Sequence, residues 1–181
     1  EQVSRLTAKP IKTIPFWVNQ NIWYEIQDKD LIRKKYGFDK DTYLVGSFQR
    51  DTEGKDLISP KLSKGPDRFF EIVKSLNKEH DKFKVVLTGT RRQYIIKKLQ
   101  EEGIEYSYFE MNSFENINEL YNILNLYIVS SRYEGGPQSI LECSLIKTPI
   151  ISTDVGISSE ILSPESIFNM NNFLRAKPNV E

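Results

Sequence analysis

The chain is poor in the residue types that build several common kinds of site. Its 181 residues include one cysteine, Cys143, which excludes a disulfide framework and a cysteine-rich zinc site. They include one histidine, His80, which excludes a multi-histidine metal centre. Charge of one sign is not in surplus: 25 basic and 25 acidic residues cancel, whereas a general nucleic-acid binder carries a basic excess. No apolar run approaches the roughly 20 residues that a membrane-spanning helix needs. No signal peptide is visible, and because the chain begins at Glu1 rather than Met it is expected to be a piece of something longer. With 39% hydrophobic residues, its length suits one packed domain rather than two.

What is present is an alternation. Pro10 and Pro15 block an early helix, and Ile11–Asn19 reads as extended chain. Asp28 or Asp30 can cap a short helix through Tyr36, stopped by Gly37. Apolar runs predict strands at Tyr43–Phe48, Phe83–Thr88, Glu105–Glu110, Leu126–Ser130 and Pro149–Thr153, with a further one at Ser166–Asn169. Between them, helical spacing predicts helices over Pro66–Glu79, Arg91–Glu102, a Ser113-capped segment carrying Ile117, Leu120, Tyr121 and Leu124, Gln138–Ile146 and Ser158–Leu162. Gln49–Ser63 is a long polar loop. Such an alternation predicts an α/β, doubly wound, Rossmann-like parallel sheet of about six strands with helices on both faces. Right-handed crossovers then gather every strand-to-helix loop on one edge, where ligands of such sheets bind. Those loops carry Arg50, Gly89–Arg92, Met111–Ser113, Ser130–Pro137 and Asp154–Gly156.

The segment richest in chemistry is Ser130–Glu142, which follows a strand and opens a helix. Gly135 and Gly136 let a ligand approach the backbone, and Pro137 suits a first helical turn. The N–H groups of Gln138, Ser139 and Ile140 then offer an anion site at a helix N-terminus, flanked by Glu134 and Glu142. Taken alone, the segment also fits a tight turn with a solvated Glu142. Arg50 and Lys64, on the loop after the first strand, can neutralise a diphosphate or can be ordinary loop cations. Asp28-Lys29-Asp30 mimics a metal-binding Asp-x-Asp, but helix capping explains it better. His80 and the Arg91–Arg92, Lys97–Lys98 stretch read as solvated, Cys143 as a small buried helix residue, and Trp17 and Trp23 as packing the amino-terminal segment onto the domain.

Taken in order, Gly46, Arg50, Lys64–Gly65, Glu134 to Glu142, Thr148–Thr153, Asp154-Val155-Gly156 and Glu160 resemble the C-terminal, donor-binding domain of a GT-B glycosyltransferase of retaining family 4 (glycosyl transferases group 1). The resemblance runs from about Ile14 to Leu162. Arg50 stands four positions past Gly46, where many family members place the arginine directly after the glycine. The usual Glu-Gly-Phe-Gly start is here Glu134-Gly135-Gly136-Pro137.

The resemblance implies catalytic roles for Glu134, Arg50 and Lys64. Glu134, with the amides of Gly135 and Gly136, would position the donor sugar, while Arg50 and Lys64, helped by the amides of Gln138 and Ser139, would stabilise the leaving diphosphate. Glu142 would hold the ribose hydroxyls, with Thr90, Met111 and Asn112 lining the base pocket. It implies a UDP-, GDP- or similar nucleotide-sugar donor, no metal cofactor, and a cytoplasmic enzyme. Residues 1–27 would be an interdomain linker and residues 28–181 the nucleotide-sugar-binding domain. The partner implied is an amino-terminal acceptor domain of the same enzyme, through which alone a membrane would be touched. This chain by itself is expected to bind donor without transferring sugar. Three other functions are open: a nucleotide-sugar epimerase of the same shape, for which one histidine is meagre acid/base equipment; a glycoside hydrolase using Glu134 and Glu142; and a non-enzymatic nucleotide- or protein-binding domain.

Overall fold

Asp28 begins the regular structure: its carboxylate accepts the Leu31 N–H at 3.0 Å and caps helix α1 (Lys29–Lys35). This is local capping chemistry, as expected for the Asp28-Lys29-Asp30 run. The computed structural model describes residues 6–12, 16–110 and 112–179, so Met111 and part of the expected Ile11–Asn19 extended segment lie outside the described residues. After α1 come strands β1 (Tyr43–Ser47), β2 (Phe83–Thr88), β3 (Tyr106–Phe109), β4 (Leu126–Val129), β5 (Ile150–Thr153) and β6 (Ile167–Phe168). Between and after them run helices α2 (Pro66–Leu76), α3 (Gln93–Glu101), α4 (Phe114–Ile123), α5 (Gln138–Ile146) and the single turn α6 (Ser158–Ile161).

The six strands form one sheet in the order β3-β2-β1-β4-β5-β6, and every ladder is parallel. Side chains alternate between two cores, as the two-residue period of a strand demands. Val45, Val85, Leu87, Ile128 and Ile151 meet Phe69, Ile72 and Val73 of α2 and Ile95 and Leu99 of α3. Leu44, Val86, Tyr127, Val129 and Ile150 meet Leu120 and Tyr121 of α4, Ile140, Cys143 and Ile146 of α5, and Ile32 of α1. Both faces are covered, which is why the central strands read as unbroken apolar runs. Each fully buried side chain of this size contributes about 1.5–3 kcal/mol. The expected doubly wound parallel sheet is what forms.

Several local expectations need correction. Trp23 is buried, edge-on to Phe114 and Tyr121 at 6.1 and 5.7 Å, but Trp17 is 78% exposed. The bonds that tie this segment to α4 start only at Tyr24 and Ile26, whose N–H groups donate to the Asn118 and Asn122 side chains, and Trp17 precedes them. Helix α2 ends at Leu76 rather than Glu79, and His80 is not simply solvated. Its ring stacks on Tyr43 with centroids 3.8 Å apart, so an aromatic surface replaces part of its hydration. Lys97 and Lys98 do lie on a surface face, paired with Glu101. Arg92 does not: Arg91 adopts φ +60°, which turns the chain and sends the Arg92 side chain inward to 1% exposure. There it donates to Asp51 Oδ2 at 2.7 Å and to the carbonyls of Ser47 and Thr88 at 2.6 and 3.2 Å. One guanidinium thus ties together the carboxyl ends of β1 and β2. Burial lowers the Arg92 pKa and raises that of Asp51, in each case against the pull of the partner, so desolvation outweighs attraction in this pair.

Candidate functional site

Strand order reverses between β1 and β4, and ligands of open parallel sheets bind outside the carboxyl ends of such a pair. From β1 the chain passes to Gln49 and the long loop, which is pinned where the N–H groups of Asp51 and Thr52 both donate to the Arg91 carbonyl at 3.1 Å. It returns through a short 3₁₀ turn, Leu62–Lys64, into α2. From β4 it passes through Ser130 and Ser131 to the glycine-bearing turn.

The two chain ends are clamped together. Gln49 Nε2 donates to the Lys64 carbonyl at 2.8 Å, Ser130 Oγ to the Gly65 carbonyl at 2.8 Å, and the Arg132 N–H to the Ser63 carbonyl at 2.8 Å. The Arg132 guanidinium forks onto both oxygens of Asp67 at 2.7 and 2.5 Å and holds that carboxyl below its usual range. Gly65 permits the approach: it sits at φ +63°, and a Cβ there would lie 1.9 Å from the Ser130 carbonyl oxygen.

This clamp presents the Lys64 ammonium to Glu134 Oε1, which also accepts from Ser131 Oγ at 2.6 Å. The Lys64 side chain keeps 29% of its exposure, against 9% for Glu134, so the lysine forms the outer half of the pair. Beyond Glu134 the turn is braced from behind, because a Cβ at Gly156 would lie 2.8 Å from the Gly136 Cα and N. An open hollow of about 520 Å³ runs between Arg132–Gly135 and Asp154–Gly156.

The turn leads into α5, whose N-cap Pro137 offers no side-chain bond to the first turn. Gln138 is exposed and Ser139 half-buried, and first-turn N–H groups have no partner within a helix. The third donor expected there is spent: the Ile140 N–H closes onto the Pro137 carbonyl at 3.1 Å, tightening the turn. One turn further, Glu142 Oε2 accepts the Tyr121 hydroxyl at 2.9 Å. Burial raises the Glu142 pKa, and the Tyr121 bond opposes that rise.

Of the residues singled out from sequence, the structure brings Lys64, Glu134 and the Gly135–Gly136 turn into one cluster, with Gln138 and Ser139 opening the helix that follows. Arg50 and Thr90 lie exposed on the same edge, and among the described residues neither hydrogen-bonds to that cluster. Asn112 Nδ2 is committed to the Phe109 carbonyl at 2.9 Å. Met111 lies outside the described residues. Sequence reasoning missed Gln49, Ser131, the Arg132–Asp67 fork and Tyr121. No sequence pattern marks Gln49 or Ser131, each a polar residue just past the end of a strand.

Against known proteins, the chain matches solved structures at identities that speak to fold alone. Sucrose-phosphate synthase from Thermosynechococcus elongatus is 19% identical, with a TM-score of 0.72 over 90% of this chain and 41% of its own. The C-terminal domain of a glycosyl transferase group 1 family protein (LpcC) from Francisella tularensis is 20% identical, with a TM-score of 0.65 over 82% of this chain and 76% of its own. HepE from Anabaena, solved in complex with UDP-glucose, is 17% identical, with a TM-score of 0.60 over 82% of this chain and 40% of its own. The chain thus spans about two-fifths of the length of the synthase and of HepE. No curated protein matches it. The family model for glycosyl transferases group 1 matches residues 28–181, which takes in every strand of the sheet and the whole clamp at β1 and β4, and the chain belongs to that family.

Proposed function

We propose that this chain is the donor-binding domain of a glycosyltransferase, taking a nucleoside-diphosphate sugar and transferring the sugar with retention in glycan, polysaccharide or glycoconjugate synthesis. The observation that carries the reading is the Lys64 ammonium held beside Glu134 and Ser131 at the switch point, next to the N-terminus of α5. A cation and oriented amides are what a leaving diphosphate needs as the glycosidic C–O bond breaks and charge collects on its oxygens. Arg50, exposed on the same edge, adds the second positive charge, so the protein itself supplies the neutralisation a metal would otherwise give. Glu134 and the Gly135–Gly136 amides orient the sugar. Glu142 accepts from the ribose hydroxyls, and Thr90 and Asn112 border the base. HepE was solved with UDP-glucose, which supports a donor of the same chemical class.

The reading extends to the whole enzyme. Residues 1–27 link to an amino-terminal acceptor domain, the two domains close on the donor in the cytoplasm, and this chain alone binds donor without transferring sugar. An epimerase is disfavoured, because His80 stacks on Tyr43 at the opposite, amino-terminal end of β1 and brings no acid or base to the site.

Calorimetric titration with UDP, GDP and ADP tests the proposal. One of the three is expected to bind, and Lys64→Ala to weaken it by about tenfold or more, as befits the loss of a charged contact. Absence of heat with all three, in a folded chain, overturns the reading.

A further inference from the structure

Tyr121 is 2% exposed, yet its hydroxyl is aimed out of the α4 core at a carboxylate on the neighbouring helix. Its ring is held on three sides, by Trp23 at 5.7 Å, Phe48 at 4.6 Å and Tyr127 at 5.1 Å between centroids. Its carbonyl is fixed too, accepting from Thr148 Oγ1 at 3.0 Å. Beside it, the Tyr127 hydroxyl accepts the Phe48 N–H at 3.0 Å, at the point where β1 ends and the site begins. A phenol has one proton to give. Here it goes to Glu142 Oε2 at 2.9 Å, with a ring too tightly packed to turn elsewhere.

We propose that Tyr121 is the positioning residue for Glu142: by donating to Oε2 it fixes the carboxylate and leaves Oε1 as the free acceptor for a ribose hydroxyl of the nucleotide. The inference rests on the proposed role of Glu142 in donor binding. Two consequences separate it from a packing role. The first is geometric: an anchored carboxylate accepts from a diol without losing side-chain rotational freedom, so its benefit is confined to ligands that carry the diol. The second is electrostatic. Burial favours the protonated form of Glu142, while the Tyr121 bond favours the charged one. The ionisable groups facing Glu142 are Tyr121 from α4, Tyr127 from β4 and Cys143 on its own helix, and among the described residues no cation pairs with it. Among the described residues the phenol is therefore the hydrogen-bonding group that opposes burial and favours the charged carboxylate.

The test uses Tyr121→Phe, which keeps the ring and removes the hydroxyl. Parent and variant are titrated with whichever of UDP, GDP and ADP binds the parent, and with the 2′,3′-dideoxy form of the same diphosphate. The parent is expected to prefer the ribose form. The variant should lose about tenfold in affinity for it and change little toward the dideoxy form. The Glu142 carboxyl, followed by ¹³C NMR in the ligand-free chains, should titrate at higher pH in Tyr121→Phe. Equal losses for both ligands, or an unmoved Glu142 titration, overturn the proposal for Tyr121. A parent that binds ribose and dideoxy forms equally overturns the ribose assignment of Glu142 itself, and the Tyr121 proposal with it.

Discussion

Replacing Arg92 by Met is expected to cost about 3–5 kcal/mol of folding stability, because it removes one half of a buried ion pair and leaves the other half charged in the interior. Arg92 is 1% exposed, and three acceptors depend on it: Asp51 Oδ2, the Ser47 carbonyl and the Thr88 carbonyl. Asp51 is itself buried at 2%, and among the described residues its Oδ1 has no well-formed hydrogen bond. For a domain of this length such a loss lowers the melting temperature by on the order of 10 °C. The direction of the pKa shifts adds a second expectation. Since desolvation wins over attraction in both partners, removing them together should recover much of the loss. Arg92→Met combined with Asp51→Leu is expected to melt well above Arg92→Met alone. A single variant within about 1 kcal/mol of the parent in urea unfolding would mean that the pair is not the clamp described for β1 and β2.

Gly65→Ala is expected to be comparably severe and to act on the site as well as on stability. The new methyl would start 1.9 Å from the Ser130 carbonyl oxygen and 2.8 Å from its carbon, both of them backbone atoms that cannot rotate away. The left-handed conformation costs about 1–2 kcal/mol for a residue with a Cβ, and overpacking typically adds about 1–3 kcal/mol. Because the clashing atoms are backbone on both sides, the expected relief is for the N-terminus of α2 to lift off the end of β4. That movement breaks the Ser130–Gly65 bond and draws Lys64 away from Glu134 and Ser131. Under conditions where the variant remains folded, nucleoside-diphosphate affinity should therefore drop by at least about tenfold. Retention of parental affinity would show that Lys64 does not need its seat on β4.

The two cases mark where the sequence is legible. Strand and helix positions follow from repeated local patterns, so Phe83–Thr88 and Gln138–Ile146 form with the bounds their spacing predicts. Gly65 is legible as a turn before a helix, but its approach to Ser130 is not, because the two residues meet only once the crossover is complete. Arg91–Arg92 reads as surface charge from its basic and acidic neighbours. Only the positive φ at Arg91 sends the second arginine inward, toward an aspartate 41 positions away. Tyr121 fits the apolar face of a helix by spacing, and that spacing hides what its hydroxyl does. Within the candidate site, Lys64 and Glu134 could be named from the order of motifs. Ser131 and Gln49 could not, since short polar residues after strands carry no pattern of their own. Ile140 shows the converse: a helix N-terminus promises free donors, and the proline carbonyl before it takes one of them.

The claim on which the rest depends is that a nucleoside diphosphate binds at the carboxyl ends of β1 and β4. Amide mapping by NMR tests it most directly, with ¹⁵N-labelled chain titrated by the nucleoside diphosphate that calorimetry selects. The largest shifts are expected on Lys64, Gly65, Gly135, Gly136, Gln138 and Ser139, and Lys64→Ala is expected to suppress them together. Shifts concentrated at the opposite edge, around His80 or Lys147, would contradict it.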